Sequence, residues 1–405
     1  MNARSYAVVT GAYWAFTITD GALRMIVLLY FNELGYSPVA LAMLFMLYEL
    51  LGVFTNLIGG WVGARNGLKA TLVAGLGLQI IALGALSLVS DWWTGWVAVA
   101  WVMFAQALSG AAKDLTKMSA KTAVKSVVGE GGLFRLVAIL TGSKNALKGA
   151  GFFVGAALLQ SVGFRGALWI MAAGLAVALL GSMALLGDIG RAASKPPIGA
   201  VLKKSAAINR LSLARFFLFG SRDIWFVVAL PVFLDDVLGW SSRSIGAFLA
   251  CWVIGYGIVQ ALAPRVLSAS GRMAFGAYEF LLPMAALATI IAAAVWLNEL
   301  QALITLVGLV FFGLLFALTS SVHSYLILAY SDGPDDTAMD VGYYYSANAA
   351  GRLVGTLLSG LLFVVGGFPA SLAGTAVFLV LAFIVSLGLP ELPSQARSHH
   401  DVAMS

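Results

Sequence analysis

Gly60-Trp61-Val62-Gly63-Ala64-Arg65-Asn66-Gly67-Leu68-Lys69 is a short basic turn between two apolar runs, 38–63 and 68–90. Each run is long enough to cross a bilayer core of about 30 Å as a helix. Glycines tighten the turn, and Arg65 and Lys69 stand where the chain leaves the apolar phase. Outward from this turn the pattern continues along the whole chain, with apolar runs at 7–32, 94–118, 133–160, 165–187, 211–237, 243–263, 273–296, 302–329, 339–365 and 370–390. Strict alternation is absent, so the runs read as helices rather than barrel strands. The fold class is an all-α polytopic membrane protein with twelve transmembrane helices.

Composition agrees. Of 405 residues, 61% are hydrophobic and 10% charged, against about 25% charged in a soluble domain. A surface that apolar cannot face water, which excludes a soluble enzyme, a nucleic-acid-binding module and a disordered chain. The net charge of +6 reflects topology. Arg4, Arg65, Lys69, Lys113, Lys117, Lys121, Lys125, Lys203, Lys204, Arg265, Arg272 and Arg397 fall on the side shared with the N-terminus, whereas the opposite loops carry Arg165 and Arg243. The positive-inside rule then places both termini in the cytoplasm, in a multi-pass cytoplasmic (inner) membrane protein. The first apolar run contains Asp20 and Arg24 and lacks a small-residue cleavage site, so it reads as a retained helix. With Cys251 as the sole cysteine, neither an internal disulfide nor a multi-thiolate metal site can form. No metal and no cofactor is expected.

The chain reads as a duplication. Ser143-Lys144-Asn145-Ala146 in the fifth run matches Ser346-Ala347-Asn348-Ala349 in the eleventh, a shift of 346 − 143 = 203, and the same shift takes Asp20 to Asp223. Leu34-Gly35-Tyr36-Ser37 recurs as Leu238-Gly239-Trp240-Ser241, one residue out of register. The expected organisation is a six-helix half over 1–187, a cytoplasmic linker over 188–210, a second six-helix half over 211–390, and a disordered tail over 391–405.

With the runs in place, the turn at 60–69 resembles the signature loop of the major facilitator superfamily, G-x-x-G-D-R-x-G-R-K. Gly60, Gly63, Arg65, Gly67 and Lys69 match it. Ala64 stands in place of its acid and Leu68 in place of its second basic residue, so the loop lacks the carboxylate of its usual charge relay. A degenerate copy lies between Pro264-Arg265 and Gly271-Arg272. The resemblance implies the facilitator fold, two pseudo-symmetric halves around a cavity, with this loop restraining the inward–outward switch.

Charges inside a bilayer are costly and face a partner or a wet cavity. The deep ones here are Asp20, Arg24, Glu49, Lys144, Lys148, Arg222, Asp223 and Arg352, five cations against three carboxylates. The surplus favours a small anionic substrate, because guanidinium groups grip oxyanions with two parallel bonds. Arg24, Lys144, Lys148, Arg222 and Arg352 are the candidate substrate-binding cations. Asn145 and Asn348 either hydrogen-bond the ligand or satisfy helix backbones. Asp20, Glu49 and Asp223 are candidates for proton coupling or ion pairing, and Asp20 and Arg24, four apart on one face, can pair with each other. Lys113, Lys117, Lys121 and Lys125 form a stripe that either snorkels to headgroups or funnels anions from the cytoplasm. His323 reads as a packing residue or a titrating one. Tyr343, Tyr344 and Tyr345 cover all faces of a turn, so at most two can line a cavity.

Finally, Tyr13-Trp14-Ala15-Phe16-Thr17-Ile18-Thr19-Asp20-Gly21-Ala22-Leu23-Arg24-Met25, Leu34-Gly35-Tyr36-Ser37-Pro38, Ala112-Lys113-Asp114-Leu115-Thr116-Lys117-Met118-Ser119-Ala120-Lys121 and Gly142-Ser143-Lys144-Asn145-Ala146-Leu147-Lys148-Gly149 resemble the organoarsenical efflux permease (ArsJ-type) family. That resemblance implies export of 1-arseno-3-phosphoglycerate, an unstable ester made in the cytoplasm by a glyceraldehyde-3-phosphate dehydrogenase, and hence arsenate resistance. The alternative in the same superfamily is a proton-coupled multidrug exporter using Asp20, Glu49 and Asp223. A membrane-embedded enzyme is disfavoured, since the chain holds no HExxH, GxSxG or Cys/His cluster.

Overall fold

The computed structural model describes residues 3–66, 68–90, 93, 95–127, 133–187, 204–269, 277–330 and 334–390. Their helices are α1 (Ala3–Glu33), α2 (Pro38–Asn66), α3 (Leu68–Ser87), α4 (Gly95–Val127), α5 (Leu133–Leu185), α6 (Ala206–Phe226), α7 (Ala229–Val232), α8 (Ser242–Ala269), α9 (Leu281–Trp296), α10 (Gln301–Ala329) and α11 (Pro334–Ser386). A single π-helical turn, Phe233–Val237, follows α7.

Among the described residues nine helical stretches are long and apolar enough to cross a membrane. Two of them, Gly142–Leu185 with 44 residues and Asp340–Ser386 with 47, would run roughly 65–70 Å at 1.5 Å per residue, twice the bilayer core. Each is broken where the sequence leaves a gap between apolar runs. Gly163 has φ 71°, and Gly367 has φ 64° beside Gly366 and two residues before Pro369. Positive φ is open to glycine without a Cβ clash. Counting each as two crossings, and adding the apolar 16-residue α9, gives 9 + 2 + 1 = 12.

The seventh crossing, Ala206–Val237, has its own interruption. Pro231 has no N–H and its ring crowds the carbonyl four residues earlier, so the helix parts at Val227–Val228. The freed amides of Val228 and Ala229 donate to Ser359 Oγ of α11 at 3.2 and 3.0 Å, which spares them an unsatisfied state in the apolar phase. This crossing starts at Ala206, capped by Ser205, five residues before the expected start at 211. The ninth was expected from 273; α9 starts at Leu281 after a turn at 277–280 that holds Glu279.

The helix pairs α1 with α5 and α6 with α11 make the most extensive contacts, while α2 with α11 and α5 with α8 join the two sets of six. Both intimate pairs rest on small residues four apart, Gly151 and Gly155 on α5, Gly351 and Gly355 on α11. A β-carbon at any of them would collide with the facing backbone: Ile18 or Ala22 of α1, Phe216 or Gly220 of α6. Close backbone approach gives van der Waals packing where lipid supplies no hydrophobic drive. Outward-facing apolar side chains such as Trp96, Trp296 and Val365 are largely exposed, as expected where the surrounding solvent is acyl chain.

Several expectations fall beyond the described residues: the linker over 188–203, the tail over 391–405, Gly67, and the side chains of Arg65 and Lys121. α2 itself continues to Asn66 and α3 begins at Leu68, so Gly60, Gly63 and Arg65 belong to the end of a helix rather than to a ten-residue loop. Lys69 is in view, and its ammonium donates to the Leu186 carbonyl at 2.6 Å, tying α3 to the end of α5.

Candidate functional site

Asp20 faces α5 and α2. Its carboxylate accepts from Tyr48 Oη at 2.5 Å and pairs with Lys148 Nζ at 3.2 Å. The duplicated position behaves alike, since Asp223 Oδ2 accepts from Arg352 Nε at 3.0 Å. In both halves an aspartate on the first helix is met by a cation on the fifth. Asp223 Oδ1 also accepts from Arg222 Nε at 2.7 Å, with Arg222 Nη2 on the same oxygen.

Glu49 sits between the two systems and is fully buried. Its Oε1 accepts from Arg24 Nη2 at 2.7 Å and from Arg352 Nη2 at 2.5 Å. Its Oε2 has no hydrogen-bond partner among the described residues. The continuous chain Arg24–Glu49–Arg352–Asp223–Arg222 therefore runs through the centre of the bundle. Two charges taken out of water are tolerated when they meet in close geometry, and a carboxylate gripped by two guanidinium groups meets that condition.

The expected pairing of Asp20 with Arg24 is not adopted. Both residues find partners on facing helices instead, Asp20 in Lys148 of α5 and Arg24 in Glu49 of α2. Arg222 and Arg352, expected to supply free positive charge, are likewise engaged by carboxylates. Lys144 lies one turn before Lys148 and is half-buried. The central set still sums to 5 − 3 = +2.

The lysine stripe points inward where it is described. Lys113 lies over the Tyr48 ring, 4.0 Å from its centroid. Lys117 donates to Asn56 Oδ1 at 2.6 Å, lies 3.6 Å from Asp114 Oδ1, and sits over Tyr345 of the other half at 4.8 Å. Neither snorkels to headgroups. Asn145 Nδ2 donates to Gln260 Oε1 at 2.7 Å, and Asn348 Oδ1 accepts from Arg215 Nε at 3.0 Å, so both asparagines bond side chains rather than helix backbone. His323 is fully buried and its Nε2 contacts the Ala277 carbonyl at 3.2 Å, which is the packing role. Of the three tyrosines, Tyr344 is fully buried while Tyr343 and Tyr345 are half-buried.

Asp20, Arg24, Phe45, Tyr48 and Gln106 line a narrow crevice with no room for a water-sized sphere, far below the roughly 300–1,000 Å³ of ligand pockets. Gln106 is buried and its Nε2 lacks a partner among the described residues. Sequence reasoning passed over Gln106, Tyr48 and Arg215. Gln106 had a visible signal, a lone amide within an apolar run. At the end of α1 the halves touch: Asn32 Nδ2 donates to Asp235 Oδ2 at 2.7 Å and Ser242 Oγ to Glu33 Oε1 at 2.6 Å. Among the described residues no group of three or more His, Cys, Asp or Glu is placed to hold a metal.

The helical architecture is found in a solved transporter structure. The fold is similar to that of the human organic anion transporter MFSD10 (TETRAN), with a TM-score of 0.69 over 95% of this chain and 100% of that one, at 15% sequence identity. Identity that low speaks for the fold alone. No curated protein matches the chain. The model of the Major Facilitator Superfamily matches residues 9–329, well over half of the sequence, so the chain belongs to that superfamily and is a multi-pass membrane transporter rather than an enzyme.

Proposed function

We propose that this transporter exports a small anionic organic phosphate or arsenate ester, 1-arseno-3-phosphoglycerate, from the cytoplasm by alternating access. The observation that carries the reading is the surplus of cations inside the bundle, five against three carboxylates, at the meeting of the two halves. An incoming oxyanion can replace Glu49 on Arg352, and because that bond joins α11 to α2, the exchange would release a tie between the halves. The stretches around Asp20, Lys117 and Lys148 that resemble organoarsenical permeases support the same substrate, and the fold relative named as an organic anion transporter is consistent with it. On this reading the protein sits in the cytoplasmic membrane with both termini inside, and a glyceraldehyde-3-phosphate dehydrogenase supplies the ester without need of direct contact.

The test is arsenate tolerance in a sensitive host. Co-expression with that dehydrogenase should confer tolerance, the transporter with Arg352→Gln should not, and failure of the wild-type pair to protect would contradict the substrate assignment.

A further inference from the structure

Arg215 differs from Arg24, Lys148, Arg222 and Arg352 of the central cluster. It lies on α6, and at 4% exposure it is buried. Its bonds go to neutral acceptors: Nε to Asn348 Oδ1 at 3.0 Å, Nη1 to the Ser320 carbonyl at 3.1 Å and to Ser320 Oγ at 3.3 Å. The Phe219 and Tyr344 rings flank the guanidinium, with centroids at 3.9 and 5.0 Å. Among the described residues no carboxylate lies within ion-pair distance of it, whereas Arg24, Lys148, Arg222 and Arg352 each have one.

Nine residues into α6, Arg215 is roughly 14 Å along the helix from its start. It shares a face with Arg222, seven residues on. Its partner Asn348 stands one turn before Arg352 on α11. The site is thus continuous with the central cluster, one helical layer closer to the ends of α6 and α11 that lie on the side of the N-terminus. Its surroundings are polar and drawn from several helices. Ser320 Oγ of α10 is also within 3.1 Å of Tyr256 Oη and 3.2 Å of Gln260 Nε2 on α8, and Gln260 accepts from Asn145 of α5. Neutral dipoles and ring faces hold a buried guanidinium less strongly than a carboxylate does. What this cation lacks is a counter-ion, and hydroxyls and amides stand ready to turn toward the remaining oxygens of one.

Resting on the anion-export reading above, we propose that Arg215 is the residue that takes a tetrahedral oxyanion of the transported molecule. Asn348 and Ser320 position the guanidinium fork before the anion arrives, and the paired cations of the central cluster lie next along the path.

The test is isothermal titration of the purified full-length protein with 3-phosphoglycerate, inorganic phosphate and glycerate, the last lacking the tetrahedral group. Wild type should bind 3-phosphoglycerate more tightly than glycerate. Arg215→Met should weaken 3-phosphoglycerate binding about 10- to 150-fold, the range for losing one charge-assisted bond, while glycerate binding holds, so that the preference collapses. Arg215→Lys, which keeps the charge without the fork, should lose part of the preference, and it decides the matter by itself if the methionine variant does not fold. A preference unchanged in Arg215→Lys and Arg215→Met, or equal loss for both ligands, would overturn the Arg215 assignment and leave the anion reading intact. Absence of binding of 3-phosphoglycerate and phosphate to wild type would overturn both.

Discussion

Arg352 of α11 donates to Glu49 of α2 at 2.5 Å, across 303 positions of sequence, while its Nε holds Asp223 of α6. One guanidinium thus joins a carboxylate of the first six helices to one of the second. Lysine, a single point of charge, cannot reproduce two directed bonds in different directions. Arg352→Lys is expected to insert normally and to lower substrate affinity about 10- to 150-fold, the equivalent of about 1.5–3 kcal/mol. Wild-type export by this variant would show that the fork is not used.

Asp20 and Lys148 form the corresponding contact of the first half at 3.2 Å. Removing one member of a buried pair strands the other, at a cost of about 3–5 kcal/mol, whereas removing both is often close to neutral. Asp20→Asn and Lys148→Gln are each expected to lower the melting temperature in detergent, and the double variant to recover most of it. Simple additivity of the two losses would contradict the pairing.

Asn32 of α1 and Asp235 of the π-helical turn touch at 2.7 Å. The contact joins the ends of the first crossings of the two halves, and alternation must part them. In a Cys251→Ser background, Asn32→Cys with Asp235→Cys joined by a short thiol cross-linker should block export, and reduction should restore it. Full export by the cross-linked protein would mean that this end never opens.

Orientation is testable from exposed positions. Ala206 and Glu299 are both exposed and lie at opposite ends of their crossings. In the Cys251→Ser background, Ala206→Cys should be shielded from an impermeant reagent added outside intact cells and Glu299→Cys should react. The opposite pattern would invert the topology.

The helix plan was readable because a bilayer imposes it. Apolar runs of fixed length and the breaks at Gly163 and Gly366-Gly367 are local properties of the chain. The buried charges were readable too, since a charged residue such as Glu49 in an apolar run has nowhere to go but the bundle interior. Their partners were not. Whether Arg24 turns to Asp20 or to Glu49 depends on how α1 and α2 face each other, which no single helix encodes. Arg215 was missed for a more specific reason. With the seventh run started at 211 it fell near a helix end, where arginines reach headgroups. The Ser205 cap moves the start to Ala206 and carries Arg215 inward.

The central claim is that the buried cations serve an anion. Everted membrane vesicles supplied with arsenate, glyceraldehyde 3-phosphate, NAD and the dehydrogenase should accumulate arsenic only when all four are present together with the transporter. Ethidium should neither accumulate nor compete. Accumulation of ethidium driven by a proton gradient, with no uptake of arsenic under the complete mixture, would contradict the account and favour a multidrug exporter working through Asp20, Glu49 and Asp223.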